Sequence, residues 1–555
     1  MNVKHWIAGV AAGVLCGAGL AAQQAGSHKH YVAPAAEQDR PNAQGQLAPR
    51  LQNLGSYVFP VTTKNARAQL FVNQGLNLSY AFNHAESGRA FREAARLDPN
   101  LAMAYWGQAL VLGPNINAAM EPTDEKPAYE AIQKALSLKA HASVRERAYI
   151  DALAARYSGN PDDRQARDRA YAGAMAKVHK AYPNDLDAAV LYVESVMDLR
   201  PWGYWMRDGV PYAGIAEAVA LIEKVIARNN RHPGALHLYV HLVESVAPEK
   251  AESAADRLLP LVPAAGHLVH MPAHIYQRVG RYADAIKSNQ MAIAADEDYI
   301  AQCRAQGLYP IGYYPHNLHF LWFAATFDGQ SALAIDTARK TASKVDPDLL
   351  KQLPLLAAFK VVPYYALTRF GKWDEMLSEP EPGRDNPFLY GIYHYARGIA
   401  LIGKNRIGEA EKELAIVKRL EGDKGLEGPL FSPNTAAAVF AIAPEVLAGE
   451  IALARQEHGA AISHFERAVR LEDGLVYTEP AEWHYPPRQA LARALLAAGR
   501  PAEAETVLWE DLRRNPENGW ALRDLVKVLR AQKKDEQASV VEARFKKAWA
   551  RSDVK

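Results

Sequence analysis

The 555-residue sequence has only two cysteines, Cys16 and Cys303, so at most one disulfide can form. That excludes a disulfide scaffold and a cysteine-based zinc module, and any metal site must rely on histidine and carboxylate. It also lacks an excess of either charge, with 64 basic and 62 acidic side chains and a formal balance of +2. With no basic block, the balance argues against nucleic acid as the main partner, because phosphate binding needs a concentrated positive surface. No glycine-rich phosphate loop and no Gly-x-Ser-x-Gly elbow occurs. Beyond the N-terminus no segment reads as the run of roughly 18 apolar residues that spans a bilayer. Alternating strand patterns are scarce.

What is present begins with an export signal. Lys4 and His5 precede an apolar run from Trp6 to Ala22, and small residues at Gly19 and Ala21, or at Ala21 and Ala22, suit signal peptidase. Residues 1–22 are therefore expected to be a signal peptide, and the protein periplasmic or secreted. Val14 and Leu15 stand before Cys16 where a lipoprotein would want a small residue. Removal of the signal leaves Cys303 as the sole cysteine, a buried thiol rather than a nucleophile. Residues 23–50 carry Gln, Ala and Pro without periodicity and read as a flexible leader.

From residue 51 to 555 apolar residues recur at helical spacing, broken by short Gly, Pro or Asn-Pro signals such as Asp98-Pro99-Asn100 and Asn515-Pro516-Glu517. Short helices with short connections mean stacked helical hairpins. Within them a pattern repeats: Gly75, Phe91, Ala94 and Pro99; Gly280, Tyr282, Ala285 and Ala292; Gly398, Ala410 and Leu414. It returns as Gly449, Ala461, Phe465 and Ala468, then Gly499, Ala504, Leu508 and Pro516, with a weaker copy at Gly371 and Trp373. Close helix crossing requires small residues at the contact and a bulky one beside them. These copies resemble the tetratricopeptide repeat (TPR) family, which implies an all-α solenoid of about a dozen helical hairpins. The repeats are more regular over 267–555 and divergent over 100–270, where the helices are amphipathic but lack the small-residue signature. Blocks such as "AMAYWGQALVLGPNIN", "LRPWGYW" and "AGHLVHMPAHIYQRVGRY" resemble exported bacterial TPR proteins; that likeness implies a fold and no activity.

Histidine is the conspicuous residue. Seven of 18 fall between 237 and 319, where even spacing would place fewer than three. His237 and His241 are four apart and Glu244 follows three later, so all three project from one helical face. An i, i+4 histidine pair presents two imidazoles to one metal, though no glutamate follows the first histidine as in zinc proteases. His267, His270 and His274 come next. Pro272 predicts a helix starting near His270 or Met271, with Gly266–His270 as the turn leading in. His316 and His319 follow Pro315, again where a helix begins. Corresponding faces of successive hairpins would line one concave groove. The group could then hold Fe, Cu or Zn through neutral imidazoles, with Glu244 as ligand or orienting partner. Two histidines with a carboxylate would suit Fe(II), and three histidines would suit hydrolytic zinc.

Other readings stay open at this point. Histidines bridge stacked helices by hydrogen bonds alone, and a metal-free general base oriented by Glu244 is a third use. The sequence singles out no catalytic residue and leaves open whether the protein is an enzyme. "DLRPWGYWMRDG" sets Trp202, Tyr204 and Trp205 beside Arg200, a combination that holds planar ligands by stacking or plugs the space between helices. His484, between Trp483 and Tyr485, offers a remote ligand contact. A protein- or peptide-binding groove, the default use of such repeats, is the competing function.

Overall fold

The computed structural model describes residues 41–42, 45–303, 309–430 and 433–554. The expected signal peptide, with Cys16 and most of the expected leader, lies outside the described residues. No strand occurs among the described residues; three isolated bridges, including Asn115 with Ala118, are the only strand-like pairings. The chain divides into two compact units. One holds the described residues up to Ile275 plus Ser288–Tyr314, and the other holds Tyr276–Lys287 plus Pro315 onward.

Helix crossings follow the small-against-bulky rule. In the first unit Phe91, fully buried on helix His84–Leu97, lies between Gly75 of helix Ala66–Tyr80 and Gly107 of helix Ala102–Leu112. A Cβ on Gly75 would stand 2.8 Å from the Phe91 ring, and one on Gly107 would run into the ring's opposite edge. In the second unit Gly449 takes the Phe465 ring in the same manner, at 2.6 Å. Gly398 receives Leu447. Backbone approach of this kind is what glycine permits and alanine forbids.

A second regularity lies in the turns. At eight hairpins the residue two positions before the following helix has a left-handed backbone: Phe82, Gly280, Gly329, Gly371, Asn405, Gln456, Gly499 and Lys533. A left-handed residue ends a helix by satisfying its last carbonyls, which makes glycine the favoured choice. Gly280, Gly371 and Gly499 are therefore turn glycines, not the crossing glycines that the repeat pattern assigned them. The two roles sit about one helix apart and look alike in a linear pattern.

The stretch expected to diverge keeps the same construction, with crossing glycines at Gly107 and at Gly234, which takes the Tyr80 ring. Helices Glu125–Ser137, Val144–Ala154, Arg164–Ala181, Leu186–Met197, Ile215–Arg228 and Pro233–Val243 each pack on the next. Ion pairs do part of the locking: buried Arg156 reaches Asp168 at 3.0 Å and Asp198 at 2.7 Å.

Two expectations need correction. The last residues of the expected flexible leader are held against the first unit. The Leu47 N–H donates to Glu93 Oε2 at 2.9 Å, Arg89 Nη2 donates to the Leu47 carbonyl at 2.7 Å, and Ala48 is buried. The second correction concerns apolar length. The helical stretch Ala436–Ala454 is long and apolar enough to cross a membrane, yet it is 67% buried among protein side chains. It reads as the core helix of the second unit, broken at Ala441.

Candidate functional site

Five of the seven clustered histidines belong to the first unit, and all five are buried to within 2% of full burial. Helix Pro233–Val243 starts at the His232 cap, with Pro233 in the first position, where its missing N–H costs nothing. It presents His237 and His241 one turn apart, with Glu244 at its C-cap. The second set arises differently from the expected turn. Gly266–His270 is itself helical and Pro272–Arg278 resumes after a break at Met271. Pro272 removes one helical hydrogen bond, and the break at Met271 absorbs it. His270 and His274 thereby stay four apart on adjoining turns, and their rings meet. Gly266 is required here, because the Asp296 carboxylate occupies the place of a side chain.

The hydrogen bonds define the chemistry. His237 Nδ1 donates to the Tyr80 carbonyl at 2.7 Å, since a carbonyl can only accept. Burial, and then the neighbouring His241, push His237 well below the usual imidazole range, so it is neutral with a bare Nε2 lone pair. That lone pair faces His241 Nε2 at 3.1 Å, while His241 Nδ1 lies 3.1 Å from Glu244 Oε1. Glu244 Oε2 accepts from His274 Nδ1 at 2.7 Å. His274 Nε2 then faces His270 Nε2 at 2.8 Å, and His270 Nδ1 contacts Asn289 Oδ1 at 2.7 Å.

Two Nε2···Nε2 contacts thus sit between rings whose Nδ1 atoms are turned to oxygen acceptors. Two bare lone pairs do not face each other at this range: each contact needs either a proton on one of the two Nε2 atoms or a metal ion between them. Nδ1 on oxygen with Nε2 converging is also how metal-ligating histidines are oriented.

His267 completes the picture. Its two ring nitrogens are buried and have no hydrogen-bond partner. Burial, reinforced by His237, His270 and the other imidazoles, pushes its pKa well down. Ligand atoms of His237, His241 and His267 lie within 4.8 Å of one another, and so do those of His241, Glu244 and His274. Tetrahedral bonds of about 2.1 Å need nitrogens roughly 3.4 Å apart, within reach of modest ring rotations.

The walls are aromatic. The Phe82 ring stands 4.5 Å from His237 and 5.5 Å from His267 by centroid, and Tyr313 is 4.8 Å from His267. Trp202 meets His241 edge-on at 5.3 Å and donates its indole N–H to Asn117 Oδ1. Phe82 and Trp202 are bulky residues with left-handed backbones, φ 54° and 62°, and both abut the histidines. Such conformations persist where surrounding structure enforces them.

Of the remaining sequence candidates, Trp205 donates to the Leu242 carbonyl next to His241, and Tyr204 is buried with its hydroxyl unpartnered. Arg200 lies over the Tyr212 ring. His316, His319 and His484 belong to the second unit. There His316 packs on Phe320, and His319 stacks on Trp322 with burial pushing its pKa down to about 3. His484 stacks on Tyr365 at 3.9 Å.

Sequence reasoning missed Phe82, Asn289, Tyr313 and the Tyr80 carbonyl. A left-handed phenylalanine leaves no mark in a repeat pattern. It also missed His232, whose Nδ1 accepts from the Ala235 N–H, leaving Nε2–H to face Asp187 and the Tyr57 hydroxyl. Burial works against the Asp187 charge, but His232, Tyr80 and Tyr57 hold its pKa below the usual carboxylate range. Because Tyr80 donates to Asp187 at 2.7 Å, this network fixes the residue whose carbonyl orients His237.

Hairpins that repeat one crossing geometry and one turn geometry define an all-helical, tetratricopeptide-like scaffold carrying a buried histidine centre. No family model matches the sequence, and no curated protein matches it. Among solved structures the chain is similar to the human IFIT1 dimer with m7Gppp-AAAA, at 11% identity over 87% of this chain and 90% of that one, TM-score 0.31. It is likewise similar to yeast Tom70, at 13% identity over 88% and 98%, TM-score 0.31. Likeness at this level assigns no function.

Proposed function

We propose that the first unit is a metal-binding module, holding a divalent transition metal on His237, His241 and His267. The observation that carries this reading is the pair of opposed Nε2 atoms of His237 and His241 beside the unpartnered ring of His267. Neutral imidazoles suit zinc, copper or iron, and three of them leave a coordination position for a further ligand. Glu244 and the Tyr80 carbonyl serve as orienting partners, fixing which nitrogen of His241 and His237 faces the metal. A metal ion would also take up the Nε2 lone pairs of both rings. The export expected from the N-terminal signal would place this centre in the periplasm or outside the cell.

The test is metal analysis of protein purified without an affinity tag, then reconstituted with Zn(II), Cu(II) and anaerobic Fe(II). At least one equivalent should remain after desalting, and His267→Ala and His237→Ala should each lose it. Retention of no metal by the parent, or retention by both variants equal to that of the parent, overturns the reading.

A further inference from the structure

The second unit holds a half-open cavity of about 270 Å³. Its walls come from helices Val362–Arg369, Pro387–Gly403, Ile442–Ala454, Pro487–Ala497 and Gly519–Ala531. Five charged side chains line it, three guanidinium and two carboxylate: Arg369, Arg493, Arg523, Glu450 and Asp524. Their pairing leaves one over. Arg493 donates to Glu450 Oε1 at 2.6 Å and to the Tyr485 hydroxyl at 2.6 Å. Asp524 is shared by Arg523 at 3.5 Å and Lys527 at 2.8 Å. Arg369 has no carboxylate partner. It donates Nη2 to the neutral Gln489 Oε1 at 2.6 Å and lies over the Trp520 ring at 3.9 Å and the Tyr485 ring at 4.4 Å.

Arg369 Nε is buried without a hydrogen-bond partner. Behind Gln489, Asp511 already accepts from three amides, those of Gln489, Asn515 and Asn518. His484 also lines the cavity, is 97% buried, and has both ring nitrogens unpartnered. Ile399, Ile402 and Val446 give the lining an apolar part.

A buried guanidinium stacked on rings, with a free donor and no acid, is an anion receptor. The apolar part of the lining selects an anion that carries hydrocarbon over inorganic phosphate or sulfate. We propose that this cavity binds a small organic carboxylate, its anionic end on Arg369 and His484 and its apolar body among Ile399, Ile402 and Val446. The inference is independent of the metal centre, which uses none of these residues.

The test is calorimetric titration of the full-length protein with benzoate, cyclohexanecarboxylate and the uncharged isostere benzamide. At least one acid should saturate, and benzamide should bind about tenfold more weakly or worse, the scale of one charge-assisted hydrogen bond. Arg369→Gln should weaken the acid by a similar factor. Ile402→Trp keeps every charge and fills the cavity, so it should block binding; it also decides the matter if Arg369→Gln does not fold. No saturation by either acid at millimolar concentration, equal affinity for acid and amide, or unchanged affinity in the folded variants overturns the proposal.

Discussion

The two units treat histidine in opposite ways. In the second, His394 Nδ1 meets Glu413 at 2.5 Å and His464 Nδ1 meets Glu445 at 2.6 Å, one acid for each imidazole. His319 and His484 lie flat on aromatic rings. In the first unit His241 and His274 share the single carboxylate of Glu244, and their Nε2 atoms face those of His237 and His270. Burial is similar for many of these residues, so burial does not mark the site. Convergence does, because it brings several imidazole nitrogens within ligand distance of one another.

The sharpest way to break this comparison is a paired substitution. His237→Gln should abolish metal retention, whereas His394→Gln should leave it unchanged, both read by elemental analysis. Loss in both would show that retention does not depend on the convergent group.

Next in size is the scaffold itself. Phe91→Ala empties the space between Gly75 and Gly107 and should cost roughly 3–5 kcal/mol. The expected result is a large fall in the denaturant midpoint of the first unit, followed by a probe local to it, since two units need not unfold together.

The turn position then separates scaffold from site. Lys533→Gly should stabilise by about 0.5 kcal/mol, because relief of a left-handed lysine exceeds the entropy cost of glycine. Phe82→Gly makes the same backbone change but should destabilise by about 2 kcal/mol, since it also removes a buried ring. It should weaken metal retention as well. Equal thermal shifts in the two variants would mean that the Phe82 ring contributes only through its backbone.

The smallest effect expected is on an exposed pair. Arg513, and beyond it Arg514, hold the Glu510 carboxyl down at about 2 despite partial burial. A depressed carboxylate pKa adds stability that is present above the ordinary value and lost as pH falls from about 4.5 toward 2. Solvent screening keeps this below about 0.5 kcal/mol. Glu510→Gln should therefore barely move the melting temperature at pH 7, and the small gap to the parent should close by pH 2 to 3.

Much of this was legible in the residues. Helical periodicity gave the all-α class, and Gly75, Phe91, Gly449 and Phe465 marked the crossings. Spacing placed His237, His241 and Glu244 on one face. The glycines at 280, 371 and 499 were legible as important but not for their role, because a turn and a crossing both select glycine. The chain near Pro272 was misread for a related reason: proline predicts a helix start, and here a short helix runs up to it. The apolar stretch at 436–454 drew no notice, and burial inside the second unit accounts for it.

The sequence alone determined the local geometry: which residues are helical, where hairpins turn, and which histidines share a face one turn apart. These follow from a helical period that every residue obeys. Only the tertiary structure decided that His267 meets His237 and His241, that Glu244 serves two rings, and that Phe82 and Trp202 close the walls. It also decided that Arg369 stands without an acid beside the second unit's cavity. Those neighbours lie tens of residues or more apart, and helix packing brings them together, whereas spacing along the chain leaves them unrelated.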